Sequence, residues 1–250
     1  MKKHSFLQTT NLFLRSLIFT IVANITLILY SFVCTAGALI LPLKYRYKIV
    51  VSYTLSILWL LKMICRVNYK IEGKENIPHD RPGVILSKHQ STWETFMIPS
   101  LFNQPAIILK RELLWVPFFG WGLATVDPIA IDRGNTSSAM EQVISKGKQC
   151  LAEGRWILIF PEGTRIPVGK VGKYRAGGAR LAVAAECPIV PIAHNAGLYW
   201  PRRKFIKQPG TVHMIIGPAI ETAGRKPEEV LEQTKNWIEE TVLTIPGKLA

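Results

Sequence analysis

Two short runs in the chain combine residue types that can do chemistry. In His89-Gln90-Ser91-Thr92-Trp93-Glu94, an imidazole and a carboxylate stand with four residues between them. Imidazole is the side chain best suited to take a proton near neutral pH. A carboxylate on its second nitrogen fixes the tautomer and stabilises the imidazolium as it forms. Ser91 or Thr92 can cap a following helix, which would leave His89 at its mouth and Glu94 about one turn in. Such a base can act directly on a hydroxyl, with no protein nucleophile. Taken alone, a histidine and a nearby glutamate are more often an ordinary strand-end pair.

The second run is Phe160-Pro161-Glu162-Gly163-Thr164-Arg165. Pro, an acid, Gly and Arg after a strand make a tight turn whose N–H groups and guanidinium can hold a phosphate. The basic, glycine-rich stretch GKVGKYRAGGARLA follows it, where Lys173, Arg175 and a helix start at Gly178 add anion-binding groups. His89, His194 and His213 lack metal-ligand spacing, so no metal site is expected.

Both runs must be positioned by their flanking elements. Short β-branched runs predict strands over 67–71, 84–86, 106–109, 128–131, 156–160, 189–193 and 212–216. Helical patterns fall at 92–101, 137–152, 178–185 and 227–241. The last opens with Pro227 at a first-turn position and Glu228 and Glu229 near the positive end of its dipole. This alternation predicts an α/β fold: a mostly parallel sheet covered by helices, with its site beyond the carboxyl ends of strands. No internal repeat or low-complexity linker interrupts it.

The region before residue 66 differs. Between Arg15 and Lys44 there is no charged residue, a run that as a helix would extend roughly 40 Å, more than the ~30 Å hydrocarbon core of a bilayer. A shorter apolar run, 49–61, follows Pro42 and the sequence KYRYK. Residues 1–65 are therefore expected to form a membrane-anchoring apolar helical hairpin and 66–250 the catalytic domain. Two arrangements remain open: a transmembrane anchor, and a hairpin dipped into one leaflet with a KYRYK turn snorkelling to the phosphates. A cleaved signal peptide fits poorly, because the apolar stretch is too long.

The net charge of +14 and pI near 9.8 call for an anionic partner. With 48% apolar and 19% charged residues, the balance favours a phospholipid surface or a phosphorylated substrate over nucleic acid. No helix-turn-helix, RNP or zinc pattern supports nucleic-acid binding. Cys34, Cys65, Cys150 and Cys187 show no paired spacing and read as reduced thiols of a cytosolic-facing protein.

HQSTWE and FPEGTR together resemble the glycerophospholipid acyltransferase family. Two further blocks agree in order and spacing: KRELLWVPFFGW at 110–121 with PIAIDR at 128–133, and VPIAHN at 190–195. The resemblance covers roughly residues 84–195. The chain departs from the usual pattern in having Glu94 for Asp, Lys88 for Asn and Ile166 where Ser is common.

The resemblance implies that His89, oriented by Glu94, deprotonates the free hydroxyl of lysophosphatidic acid for attack on an acyl thioester. The co-substrate would be acyl-CoA or acyl-carrier protein, with no cofactor. Arg165 would hold the acceptor phosphate, with Glu162, Gly163 and Thr164 shaping that turn and belonging to the same phosphate-binding set, and Lys110 and Arg133 are further candidates for phosphate contact. It also implies a bacterial inner-membrane protein whose site faces the cytoplasm. Trp115, Phe118, Phe119 and Trp121 would form an interfacial wedge or an acyl-tunnel mouth, unless buried in the core. The basic-aromatic loop 199–204 could rest on anionic lipid or dock an acidic carrier protein, or simply be solvated. The alternatives are an acyltransferase acting on another lysolipid or glycerol 3-phosphate, a membrane-associated lipid hydrolase, for which no G-x-S-x-G elbow is present, and a non-enzymatic basic protein of the membrane surface that binds acidic partners.

Overall fold

The computed structural model describes residues 6–132 and 136–247. It opens with two antiparallel helices, α1 (Phe6–Ile40) and α2 (Leu43–Cys65). At about 1.5 Å per residue, the 35 residues of α1 extend about 52 Å. Both helices are long and apolar enough to cross a membrane. The break comes at Pro42, which disfavours helical backbone at Leu41 before it. KYRYK is therefore not the turn that the sequence suggested; it forms the first turns of α2. Lys44, Tyr45 and Lys48 are exposed. Arg46 donates to the Thr125 carbonyl at 3.2 Å and Tyr47 to that of Pro105 at 2.7 Å, so two of the five dock on the rest of the chain.

Among the described residues seven strands follow: β1 (Val67–Glu72), β2 (Val84–Ser87), β3 (Ala106–Lys110), β4 (Ile129–Ile131), β5 (Ile157–Ile159), β6 (Ile189–His194) and β7 (Gly210–Ile216). They form one sheet in the order β1-β7-β6-β2-β5-β3-β4, parallel at every pairing except β6–β7. This is the mostly parallel α/β sheet expected. The interleaved helices are α3 (Trp93–Met97), α4 (Phe119–Ala124), α5 (Thr136–Ala152), α6 (Gly177–Ala184) and α7 (Pro227–Thr244). The helix expected over 92–101 is shorter, passing into a 3-10 turn at Ile98–Ser100 where Pro99 has no N–H to donate. No helix was expected at α4, which begins within the aromatic block 110–121 and runs three residues past it.

Alternate residues of the central strands point to opposite sides. Ile85, Leu158, Val190 and Ile192 pack with Phe19, Ile57, Leu58 and Leu61 of the hairpin. Val84, Leu86, Ile157 and Ile189 pack with Val143 of α5, Leu181 of α6, and Val230 and Ile238 of α7. The hairpin thus covers one face of the sheet and α5–α7 the other. The division at residues 65/66 falls on the end of α2, but both sides of it share one core. α1 is tied on further by Ser16 Oγ, which accepts the Lys207 N–H at 2.9 Å, and by the edge-on contact of Phe19 with Trp200.

Candidate active site

Strand β2 lies between β5 and β6, and this order assembles the site. HQSTWE leaves β2, FPEGTR leaves β5 and His194 ends β6, so motifs far apart in sequence meet beyond one end of the sheet. Chain order does not reveal that adjacency.

The His89 Nδ1 atom lies 2.9 Å from Glu94 Oε1. The same carboxylate oxygen accepts the N–H groups of Gln90 at 2.9 Å and Ser91 at 2.8 Å. Ser91 Oγ in turn accepts the Trp93 N–H at 3.1 Å. One carboxylate thus serves both the backbone that leads into α3 and the imidazole. Burial alone would raise the Glu94 carboxyl, but His194, the His89 ring and the Ser91 N–H hold it below the usual carboxylate range.

His194 is itself wholly buried, and burial lowers its pKa. Its Nδ1 accepts the Ala196 N–H and its Nε2 lies 2.8 Å from the Lys88 carbonyl, the pattern of a neutral ring protonated on Nε2. The part of the depression at Glu94 that does not depend on His194 comes from the His89 ring and the Ser91 N–H. The Glu94 carboxylate is ionised, which fixes the proton of a neutral His89 ring on Nδ1 and leaves the lone pair on Nε2. The His89 ring stacks on Phe160, with centroids 4.1 Å apart and planes 20° apart, so its plane is set as well.

His89 forms part of the wall of a cavity of about 530 Å³, within the usual range for small-molecule sites. Most of the wall is apolar: Leu27 and Cys34 of α1, Tyr53 of α2, and Phe118, Phe119 and Leu123 around α4. The polar part includes His89, Lys110, Thr164 and Arg165. The hairpin thus supplies part of the cavity wall, a contribution that its apolar composition did not reveal.

The phosphate candidates separate. Arg165 and Thr164 line the cavity beside His89. Lys110 lines it too, with its ammonium 2.8 Å from Glu112 in an exposed pair. The Gly163 N–H donates to the Phe160 carbonyl at 2.9 Å, closing the turn, and its φ of 66° suits glycine. Glu162 requires a correction as a phosphate-contact candidate. Its carboxylate is buried, 2.7 Å from Lys88 Nζ, and also accepts the His89 N–H at 2.9 Å. A carboxylate so placed would repel a phosphate rather than hold one. Arg133 lies outside the described residues. Arg175 and the first turn of α6 line a second cavity of about 340 Å³, which shares Phe160 and Gly163 with the first.

Of the aromatic block, Phe118 and Phe119 are half-buried in the cavity wall, whereas Trp115 and Trp121 are exposed. The four cysteines are free and buried. Among the described residues, no group of three or more His, Cys, Asp or Glu is placed to hold a metal ion.

The acyltransferase family model matches residues 68–195, about half of the chain. The chain is also 45% identical to the 1-acyl-sn-glycerol-3-phosphate acyltransferase of Pseudomonas aeruginosa, over 93% of this chain and 91% of that protein. It belongs to the acyltransferase family.

The mouse 1-acyl-sn-glycerol-3-phosphate acyltransferase alpha is 29% identical over 68% of this acyltransferase and 60% of its own length. The crystal structure of the 1-acyl-sn-glycerophosphate acyltransferase of Thermotoga maritima superposes with a TM-score of 0.79, covering 96% of this chain and 99% of that one. At 23% identity it supports the fold, including the two N-terminal helices. The family segment holds His89, Glu94, Lys110 and Arg165. It leaves out the hairpin, which supplies much of the cavity, and α7, which carries Glu239.

Proposed function

We propose that this acyltransferase moves a fatty acyl group from acyl-CoA or acyl-carrier protein to the free sn-2 hydroxyl of lysophosphatidic acid, giving phosphatidic acid for phospholipid biosynthesis. The observation that carries the reading is the wall of the main cavity. A Glu94-anchored base, a guanidinium and a long apolar space lie together there. A lysophosphatidate offers a hydroxyl, a phosphate and an acyl chain in the same combination. The names of the relatives point to the same acceptor.

In this reading His89 Nε2 takes the proton of the acceptor hydroxyl as its oxygen attacks the thioester carbonyl. Glu94 stabilises the imidazolium. The tetrahedral intermediate collapses by breaking the C–S bond, and the departing sulfur takes the proton from His89. Arg165 pairs with the acceptor phosphate, with Lys110 as a second cation. Donor and acceptor both bring acyl chains, which favours the apolar cavity over bulk water.

The outward surfaces of α1 and α2 support attachment to a phospholipid membrane, since Ile25, Leu29, Phe32 and Trp59 are each more than half exposed. We assign the protein to the bacterial inner membrane with its site on the cytoplasmic side, where thioester donors are made. The deciding experiment is acyl transfer from labelled acyl-CoA and acyl-carrier protein to lysophosphatidic acid, read by lipid chromatography. His89→Ala should abolish phosphatidic acid formation, a loss of ~10² to 10⁴ or more, with unchanged thermal unfolding. Near-normal turnover in that variant, or release of free fatty acid in place of phosphatidic acid, would overturn the reading.

A further inference from the structure

Glu94 accounts for how the His89 ring is held. A different group holds the His89 backbone. Lys88, the residue before it, has a side chain only 1% exposed. Its ammonium lies 2.7 Å from Glu162 Oε1 and 2.7 Å from Glu239 Oε1 on α7, with the Lys170 carbonyl at 3.4 Å. Glu162 Oε2 accepts the His89 N–H at 2.9 Å. The His89 carbonyl accepts the Ile166 N–H at 2.7 Å, and the Lys88 carbonyl is the partner of His194. Glu239 is held in turn by the Tyr174 hydroxyl at 2.7 Å. The peptide groups on both sides of His89 are thus fixed from outside their own strand.

This arrangement is not what stability alone would select. Burying an ammonium between two carboxylates costs desolvation that Coulomb attraction often fails to recover, and apolar residues of similar volume frequently do as well. Burial pushes the Glu162 carboxyl above its ordinary range; Lys88 and the His89 N–H pull against this without cancelling it. Room for the cluster is kept at Gly172, where a Cβ would come within 2.9 Å of Glu162 Oε1 and 2.7 Å of Ile166. Glu162 also belongs to the turn that carries Arg165. Through it, the base and the cation beside it are referred to one anchor.

We propose that Lys88, Glu162 and Glu239 form a positioning cluster that sets the catalytic base in register with the Arg165 turn, so that a residue of the C-terminal helix controls catalysis without touching substrate. The proposal rests on His89 being the base. A shift of about 1 Å in a reacting group can cost ~10² in rate while leaving binding intact, so the cluster should show in kcat rather than KM.

The test uses full-length protein in detergent-lipid micelles, with lysophosphatidic acid as acceptor and acyl-CoA or acyl-carrier protein as donor. Glu162→Gln should lower kcat ~10- to 100-fold, with both KM values within about threefold and thermal unfolding close to wild type. Glu239→Gln, at the less buried end, should give the same kcat-only pattern at smaller size, and serves if Glu162→Gln does not fold. Lys88→Met should lose the most, since the Glu162 and Glu239 carboxylates then face each other with no cation between them. Adding Glu162→Gln to Lys88→Met should cost no further rate, because members of one unit are not additive.

A rise in acceptor KM at unchanged kcat in Glu162→Gln would overturn the proposal and return Glu162 to the acceptor site. Wild-type kcat in both Gln variants, losses that multiply in the double variant, or rate losses that only follow the loss of folded protein would also overturn it. If wild type formed no phosphatidic acid, or His89→Ala kept full activity, the reading of the base would fail instead.

Discussion

The helices on the two faces of the sheet are alike on their inner sides and opposite on their outer ones. α7 buries Val230 and Ile238 and turns Glu228, Glu232, Gln233, Asn236 and Glu240 to solvent, the stripe of an ordinary amphipathic helix. α1 and α2 bury Phe19, Ile57 and Leu61, yet their outer side is apolar as well. Both faces reach His89. From the hairpin side α3 sends Glu94 to the ring; toward α7 the Lys88–Glu162–Glu239 group holds the backbone. The substrate-sized cavity lies on the hairpin side. One face therefore carries the polar contacts of the His89 backbone, while the other carries the main cavity and an outer surface that stays apolar.

The strongest way to break this comparison is at Glu94. Glu94→Gln keeps an oxygen for the Gln90 and Ser91 N–H groups but removes the charge that stabilises the imidazolium. A fall in kcat of ~10² to 10⁴ is expected, measured by steady-state acyl transfer. An unchanged kcat would show that the ring needs no anion behind it. Next in size is Arg165→Ala. Charge-assisted hydrogen bonds are about twice as strong as neutral ones, so the acceptor KM should rise about 10- to 100-fold with kcat little changed. If only the donor KM moved, Arg165 would belong to the thioester's site.

The outer surfaces can be compared directly. Ile25→Lys with Leu29→Lys puts two charges on the outward side of α1. Gln233→Lys with Asn236→Lys does the same on α7 and gives the same net charge. A lysine in the hydrocarbon centre costs about 2.5 kcal/mol or more. Sedimentation with phospholipid vesicles should therefore show at least about a tenfold loss for the α1 pair and none for the α7 pair. Equal behaviour of the two would remove the distinction between the faces.

All seven strands and the four expected helices were legible in the sequence, because β-branched runs and helical periodicity are local signals. The pairing of His89 with Glu94 was legible too, since both lie within one short turn-and-helix unit. Three features were not. The polar anchor of His89 requires Glu239, some 150 residues away on α7, and no local pattern marks one glutamate of an acidic helix as half-buried. The role of Glu162 was missed because a carboxylate in a polar turn looks solvent-facing until its lysine partner is placed inside. The KYRYK segment was read as a turn from its charge, although the backbone break is set by Pro42. For Glu239 and Glu162 the deciding information is a contact between distant elements, whereas for KYRYK it was local, at Pro42.

The smallest effect concerns His194, which lies between Glu94 and the Lys88 carbonyl. Its folded pKa is lowered from 6.5 by burial. Below pH 6.5 the unfolded chain takes up a proton there while the folded chain does not, so stability should fall as pH drops from 6.5 toward the folded value. Above 6.5 this contribution is fully present. Glu94 has the same sign, but its window begins only below its ordinary value of 4.5, so the two separate on the pH axis. Thermal unfolding of wild type between pH 7.5 and 5.5 should therefore show a decline that is shallower in His194→Gln, whose amide can still donate to the Lys88 carbonyl. Matched declines in the two proteins would place the titrating group elsewhere, and His194 would then be only a neutral spacer between the acid and the strand.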